Sequence, residues 1–114
     1  MEPLLVFTNL PDEASAETLA RALVEARAAA CVNVLPPCRS FYRWQGALES
    51  ATEVPLLIKT THGAYPLVET IIRTQHPYDV PELIAISITT GLPDYLAWLA
   101  TETKTHDQDQ QDQE

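Results

Sequence analysis

The residues best able to do chemistry are gathered in one short stretch, His76-Pro77-Tyr78-Asp79-Val80-Pro81-Glu82. It sets an imidazole, a phenol and two carboxylates around two prolines. Proline fixes φ and biases the residue before it towards extended geometry, so this connector is stiff for a loop. A stiff loop carrying polar side chains is where a small domain places a site. His76 and Glu82 together make an N,O donor pair suited to Cu(II) or Zn(II). Such ions take three or four donors, so water or a partner chain must complete the shell. Each residue also has a structural reading. His76 suits the C-terminal end of a helix, where His and a following Pro are favoured. Glu82 serves equally as a ligand, a general base, an acceptor for turn N–H groups, or a partner for Lys59 or Arg43.

A second group of side chains suggests a binding cleft. Tyr42, Trp44 and Tyr78 can line it, and Arg43 or Lys59 can fix an anion there. Aromatic residues on a strand serve as core or interface just as readily, and Trp44 reads best as interface. Cys31 falls in mid-strand and reads as a small buried hydrophobe, whereas Cys38 follows two prolines in an exposed bend. Their Cys-x₆-Cys spacing is not a zinc signature. His106, among Asp107 and Asp109, reads as part of a solvated tail. The chain's three glycines are well separated and form no phosphate loop. No Ser-His-Asp or Cys-His arrangement emerges from the spacings, so the expectation is a protein that is not an enzyme.

Composition narrows the partners. Seven Lys and Arg stand against 16 Asp and Glu, a formal charge of −9 with a pI near 4.6. That sign is wrong for nucleic acid or an anionic membrane and right for attracting cations. Part of the charge is tail, since residues 101–114 hold one Lys against five acids. Two cysteines make no disulfide framework, no signal-like segment precedes the first strand, and no apolar run approaches a membrane span. These features imply a cytoplasmic protein with reduced thiols.

The elements that must position the connector follow from hydrophobic periodicity. Residues 4–8 form a buried strand. Asp12 caps a helix that alanine propensity carries to about Ala29, with Ala16, Leu19, Ala20, Leu23 and Val24 at helical spacing. Residues 30–35 alternate as a strand, Pro36-Pro37 interrupts, and Ser40 to Trp44 resumes it. Gln45-Gly46 is a turn. Val54, Leu56, Ile58 and Thr60 share one face of the next strand, where Pro55 marks an edge, a bulge or a subunit boundary. A second helix runs from about His62 to Gln75, the connector follows, and Leu83 to Ile88 is the last strand. Pro93 starts a short helix with Leu92, Tyr95, Leu96 and Leu99 on its apolar side and Trp98 extending it. Residues 1–103 thus read as one domain, and 104–114 as a disordered acidic, Gln-rich tail. The order β-α-β-β-α-β plus a helix is that of an α+β, ferredoxin-like sandwich. It leaves one sheet face uncovered, with Tyr42, Trp44, Leu57 and Leu83 on that face or along its edge. An uncovered apolar face implies a homo-oligomer.

Five segments in register carry a family resemblance: Ala29-Ala30-Cys31-Val32-Asn33, Ser40-Phe41-Tyr42-Arg43-Trp44-Gln45-Gly46, Leu57-Ile58-Lys59-Thr60, His76-Pro77-Tyr78 with Pro81-Glu82, and Asp94-Tyr95-Leu96-Ala97-Trp98-Leu99. Together they resemble the CutA divalent-cation tolerance family over roughly residues 4–100. The resemblance implies a ferredoxin-like protomer in a tight cytoplasmic homotrimer, linked to copper and other divalent cations. It also implies clefts between subunits like those of PII-type signalling proteins. A small-molecule sensor or scaffold using those clefts, with an unidentified protein or metabolite partner, is therefore the alternative function. Where family members bind copper, the ligand positions correspond to Thr8, Gln75 and Glu82 here. Only Glu82 retains donor chemistry for such an ion, so the resemblance implies a weakly bound copper or other divalent cation and no further cofactor.

Overall fold

The computed structural model describes residues 2–104. Its elements run β1 (Pro3–Leu10), α1 (Glu13–Glu25), β2 (Cys31–Val34), β3 (Cys38–Trp44), β4 (Ala47–Thr61), α2 (Tyr65–Gln75), β5 (Ile84–Ser87) and α3 (Pro93–Glu102). The strands form one antiparallel sheet in the order β2-β4-β1-β5, and β3 pairs with β4 beyond the end of β2. This is the α+β, ferredoxin-like arrangement expected, with the interrupted second strand divided into β2 and β3.

Period-two alternation decides which face is core. Leu4, Val6 and Leu10 of β1 lie opposite Thr60, Ile58 and Val54 of β4, and all are buried. Helix α1 covers them with Ala16, Leu19 and Leu23, and α2 with Val68 and Ile72. Fully burying a side chain of this size stabilises the fold by about 1.5–3 kcal/mol, so this layer dominates the energetics. Asp12 caps α1 as expected, its carboxylate accepting the Ser15 N–H at 2.7 Å. That bond holds the Asp12 carboxyl below the usual carboxylate range.

Several boundaries differ from expectation for identifiable reasons. Helix α1 ends at Glu25 rather than near Ala29, because Arg27 takes the left-handed conformation with φ 60°. The Ala28 and Ala29 N–H groups then turn back to the Leu23 carbonyl. Arg27 is drawn there by a tertiary contact: its guanidinium donates to the Thr101 and Glu102 carbonyls at the end of α3. Those carbonyls are the negative end of the α3 dipole, so a cation is favoured. Local alanine propensity loses to that arrangement. Helix α2 begins at Tyr65, not His62, since Thr61 Oγ1 accepts the Ala64 N–H and Pro66 fits the first turn.

Strand β4 is longer than the pattern suggested. Gln45 and Gly46 both have positive φ, 49° and 82°, which suits a two-residue hairpin turn. The turn brings the polar run Glu49 to Glu53 into register with β3. Pro55 lies where pairing to β2 gives way to pairing to β3. Its carbonyl accepts the Leu35 N–H, so its missing donor also faces that gap, and the paired β1 edge is undisturbed.

The second face carries Leu5, Phe7, Leu57 and Lys59, with Ile84 and Ile86 of β5 beside them at 53% and 54% exposure. Helix α3 packs over part of it, burying Leu99 and setting Tyr95 beside Lys59. Of the rest of the expected apolar side of α3, Leu96 is half-buried while Leu92, Tyr95 and Trp98 are exposed. Leu83, expected on the uncovered face or its edge, packs instead against the helix-covered core, one residue out of phase with Ile84. Of the expected tail, Lys104 donates its N–H to the Arg27 carbonyl at 2.7 Å. Residues 105–114, including His106, lie outside the described residues.

Candidate functional site

The connector is fastened at its first residue. His76 caps α2 in extended geometry, as the following proline requires, and its N–H reaches the Ile72 carbonyl at 2.9 Å. Its ring is buried and doubly engaged. Nε2 lies 2.7 Å from the Asn9 carbonyl and Nδ1 lies 3.2 Å from the Tyr78 amide nitrogen. A carbonyl only accepts and an amide N–H only donates, so the ring carries its proton on Nε2. Burial pushes the His76 pKa down, with the Asn9 bond and the Glu53 charge partly opposing. The imidazole is therefore neutral and has no lone pair left for a metal.

The rest of the connector closes over the end of β1 and the middle of β4. The Tyr78 hydroxyl donates to Glu53 Oε2 at 3.1 Å, and the Tyr78 ring lies 4.8 Å from the His76 ring. Burial first, then the bond to Glu53, push the Tyr78 pKa up to about 12, so the phenol stays protonated. Asn9 Nδ2 donates to Glu82 Oε1 at 3.1 Å while the Asn9 carbonyl holds His76, so one residue of β1 anchors both ends of the connector. Glu82 is exposed, and its second oxygen makes no hydrogen bond among the described residues.

These contacts wall a cavity of about 720 Å³ between the connector and the β3–β4 hairpin. Asn9, Tyr42, Trp44, Glu53, Tyr78 and Glu82 are among its lining residues, with Asp79 at its side. Among the described residues no Lys or Arg lines it. The field inside accordingly favours positive charge. Of the expected cleft residues, Tyr42, Trp44 and Tyr78 line this cavity in one chain. Lys59 does not: its Nζ lies 5.9 Å from the Tyr95 ring centroid, under α3. Arg43 is exposed on the hairpin and is also absent from the wall.

The positions implied as metal ligands differ in exposure and lie on different elements. Thr8 points with Val6 and Leu10 towards the helices, at 1% exposure, and its Oγ1 has no hydrogen-bond partner among the described residues. Gln75 is exposed at the last position of α2. Among the described residues no group of three or more His, Cys, Asp or Glu is placed to hold a metal ion. Among the described residues Glu82 thus offers a free oxygen that no such donor group joins. That set suits a loosely held, carboxylate-bound ion and not a tight tetrahedral centre. Cys31 is half-buried and Cys38 exposed, both as free thiols.

Two site residues escape the sequence reading, Asn9 and Glu53. Read locally, Asn9 breaks a strand before Leu10-Pro11, and Glu53 lies just outside one. The available signal is period two: Leu5, Phe7 and Asn9 on one strand, and Leu57, Pro55 and Glu53 on the other, continue one face.

The whole chain can be set beside known proteins. Residues 4–102 match the family model described as CutA1 divalent ion tolerance protein. The divalent-cation tolerance protein CutA of Thermus thermophilus is 46% identical over 103 residues, covering 90% of this chain and 99% of that one. Mouse protein CutA is 41% identical over 99 residues, which is 87% of this chain and 56% of the mouse protein. Among solved structures, the divalent cation tolerance protein Cut A1 from Thermus thermophilus superposes with a TM-score of 0.88 at 44% identity, covering 90% and 99% of the two chains. The Archaeoglobus fulgidus protein, described as a periplasmic divalent cation tolerance protein CutA, gives a TM-score of 0.86 at 32% identity, covering 90% and 99%. Motifs, topology and these matches agree across nearly the full described length, and the chain belongs to the CutA1 divalent-ion tolerance family.

Proposed function

We propose that this chain works as a cytoplasmic, homotrimeric, non-enzymatic protein of divalent-cation tolerance, binding copper or another divalent cation weakly through Glu82. The observation that carries this reading is the unopposed carboxylate wall of the cavity, Glu53, Asp79 and Glu82 with no lining cation among the described residues. The family match supports the physiological setting. Exposed Ile84 and Ile86 on the second face, with Leu92 and Trp98 on α3, support assembly with further copies. Assembly would also bring partner donors towards Glu82, which one chain does not supply. Among the described residues no helix is long and apolar enough to cross a membrane. His76 belongs to the frame of the site and not to its donor set, because both ring nitrogens are engaged. The alternative, a small-molecule sensor or scaffold using clefts between subunits, would draw on Arg43, Lys59 and Tyr78, of which Tyr78 lines the cavity within one chain.

Calorimetric titration with Cu(II) tests the proposal. Saturable binding that weakens severalfold in Glu82→Gln is expected, and Gln75→His should strengthen it by returning an imidazole to the end of α2. Binding that is absent, or unchanged by Glu82→Gln, overturns the assignment.

A further inference from the structure

The divalent-ion reading leaves the aromatic walls of the cavity without a role. Tyr42 and Trp44 reach it from β3 and Tyr78 from the connector, and Glu53 and Glu82 stand between them. Glu53 is only 8% exposed, yet among the described residues no Lys or Arg pairs with it. Its Oε2 accepts the Tyr78 hydroxyl, and Glu82 Oε1 accepts the Asn9 amide, so each carboxylate keeps one oxygen for a ligand. An anion would meet the like charge of Glu53, Asp79 and Glu82 there. A neutral apolar ligand would strip water from carboxylates without replacing it, which is costly.

A volume of about 720 Å³ is far larger than a bare ion needs and lies in the range of small-molecule sites. A metal ion also demands several convergent donors, which the described residues do not assemble. A diffuse organic cation has no such demand. Ring faces attract it through their quadrupoles, and carboxylates attract it at longer range. The protein already uses this packing beside the cavity, where the Arg39 guanidinium lies 5.3 Å from the Phe41 ring centroid.

We propose that this cavity binds a small organic ammonium cation, its positive head against the rings of Tyr42, Trp44 and Tyr78 and its charge met by Glu53 and Glu82. The proposal stands apart from the divalent-ion reading and is tested with chelator present, so each can fail without the other. The full chain is titrated calorimetrically with choline and with its uncharged carbon isostere, in which carbon replaces the quaternary nitrogen. Choline should bind saturably and its isostere about tenfold more weakly or less, since only the charge differs. Trp44→Leu alters an exposed side chain and should weaken choline about 3- to 30-fold, the span of cation–ring contacts from exposed to desolvated. Glu53→Gln should weaken it as well. Equal binding of choline and its isostere, no saturation by the low millimolar range, or affinity untouched by both substitutions overturns the proposal.

Discussion

The two sides of strand β1 are in different hands. Val6, Thr8 and Leu10 point into a layer closed by α1 and α2, whereas Leu5, Phe7 and Asn9 point to the second face, where Asn9 holds His76 and Glu82. The first side is nearly all hydrocarbon, and its one polar atom without a partner among the described residues is Thr8 Oγ1. The second side keeps exposed Ile84 and Ile86 beside a cavity rich in carboxylates and rings. Stability is concentrated on one face and recognition on the other, and a single strand serves both because its side chains alternate.

The largest expected effects break that comparison most directly. Ile58→Ala removes a fully buried side chain and should lower unfolding free energy by about 2–5 kcal/mol in denaturant titration. Ile84→Ala alters a half-exposed one and should cost about 1 kcal/mol or less in a free chain. If Ile84→Ala costs as much as Ile58→Ala, the second face is covered in solution by another copy.

The frame of the cavity should respond to acid. His76 titrates below its ordinary value of 6.5 in the fold, chiefly through burial. The unfolded chain therefore takes up this proton first, and the contribution present above pH about 6.5 is lost as pH falls towards the folded pKa. Protonation would also aim an Nδ1–H at the Tyr78 N–H. His76→Leu should flatten this part of the pH–stability curve and, by leaving the Asn9 carbonyl without its donor, cost about 1–3 kcal/mol at neutral pH. A curve identical to the unsubstituted protein's would remove His76 from the frame.

Thr8→Val should be the mildest of the stability changes and opposite in sign. It replaces a buried hydroxyl without a partner by a methyl of the same shape, for a gain of about 1 kcal/mol. A loss instead would mean that the hydroxyl is satisfied by a bound water.

Much of this architecture was legible in the order of residues. Asp12, Pro93 and the Gln45-Gly46 turn act locally, through cap, first-turn and hairpin geometry, and each stands where the pattern put it. The start of α2 is set locally by Thr61 and Pro66, but the misplaced ends of α1 and β4 depend on partners in other elements. Arg27 leaves α1 for carbonyls more than 70 positions away. Glu49 to Glu53 form strand only because β3 lies alongside. The connector was recognisable from its prolines, but the engagement of both His76 nitrogens depends on Asn9, 67 positions earlier. No local pattern announces such a contact. The cavity wall at Glu53 escapes for the same reason, since its partner Tyr78 is 25 positions on.

One paired measurement decides whether Glu82 belongs to recognition or to the frame: the unfolding free energy and the Cu(II) affinity of Glu82→Gln, taken on a single preparation. Because Glu82 is exposed and held by one amide, stability should stay within about 0.5 kcal/mol of the unsubstituted protein while Cu(II) binding weakens severalfold. A clear loss of stability with unchanged affinity would contradict the account and make Glu82 part of the scaffold.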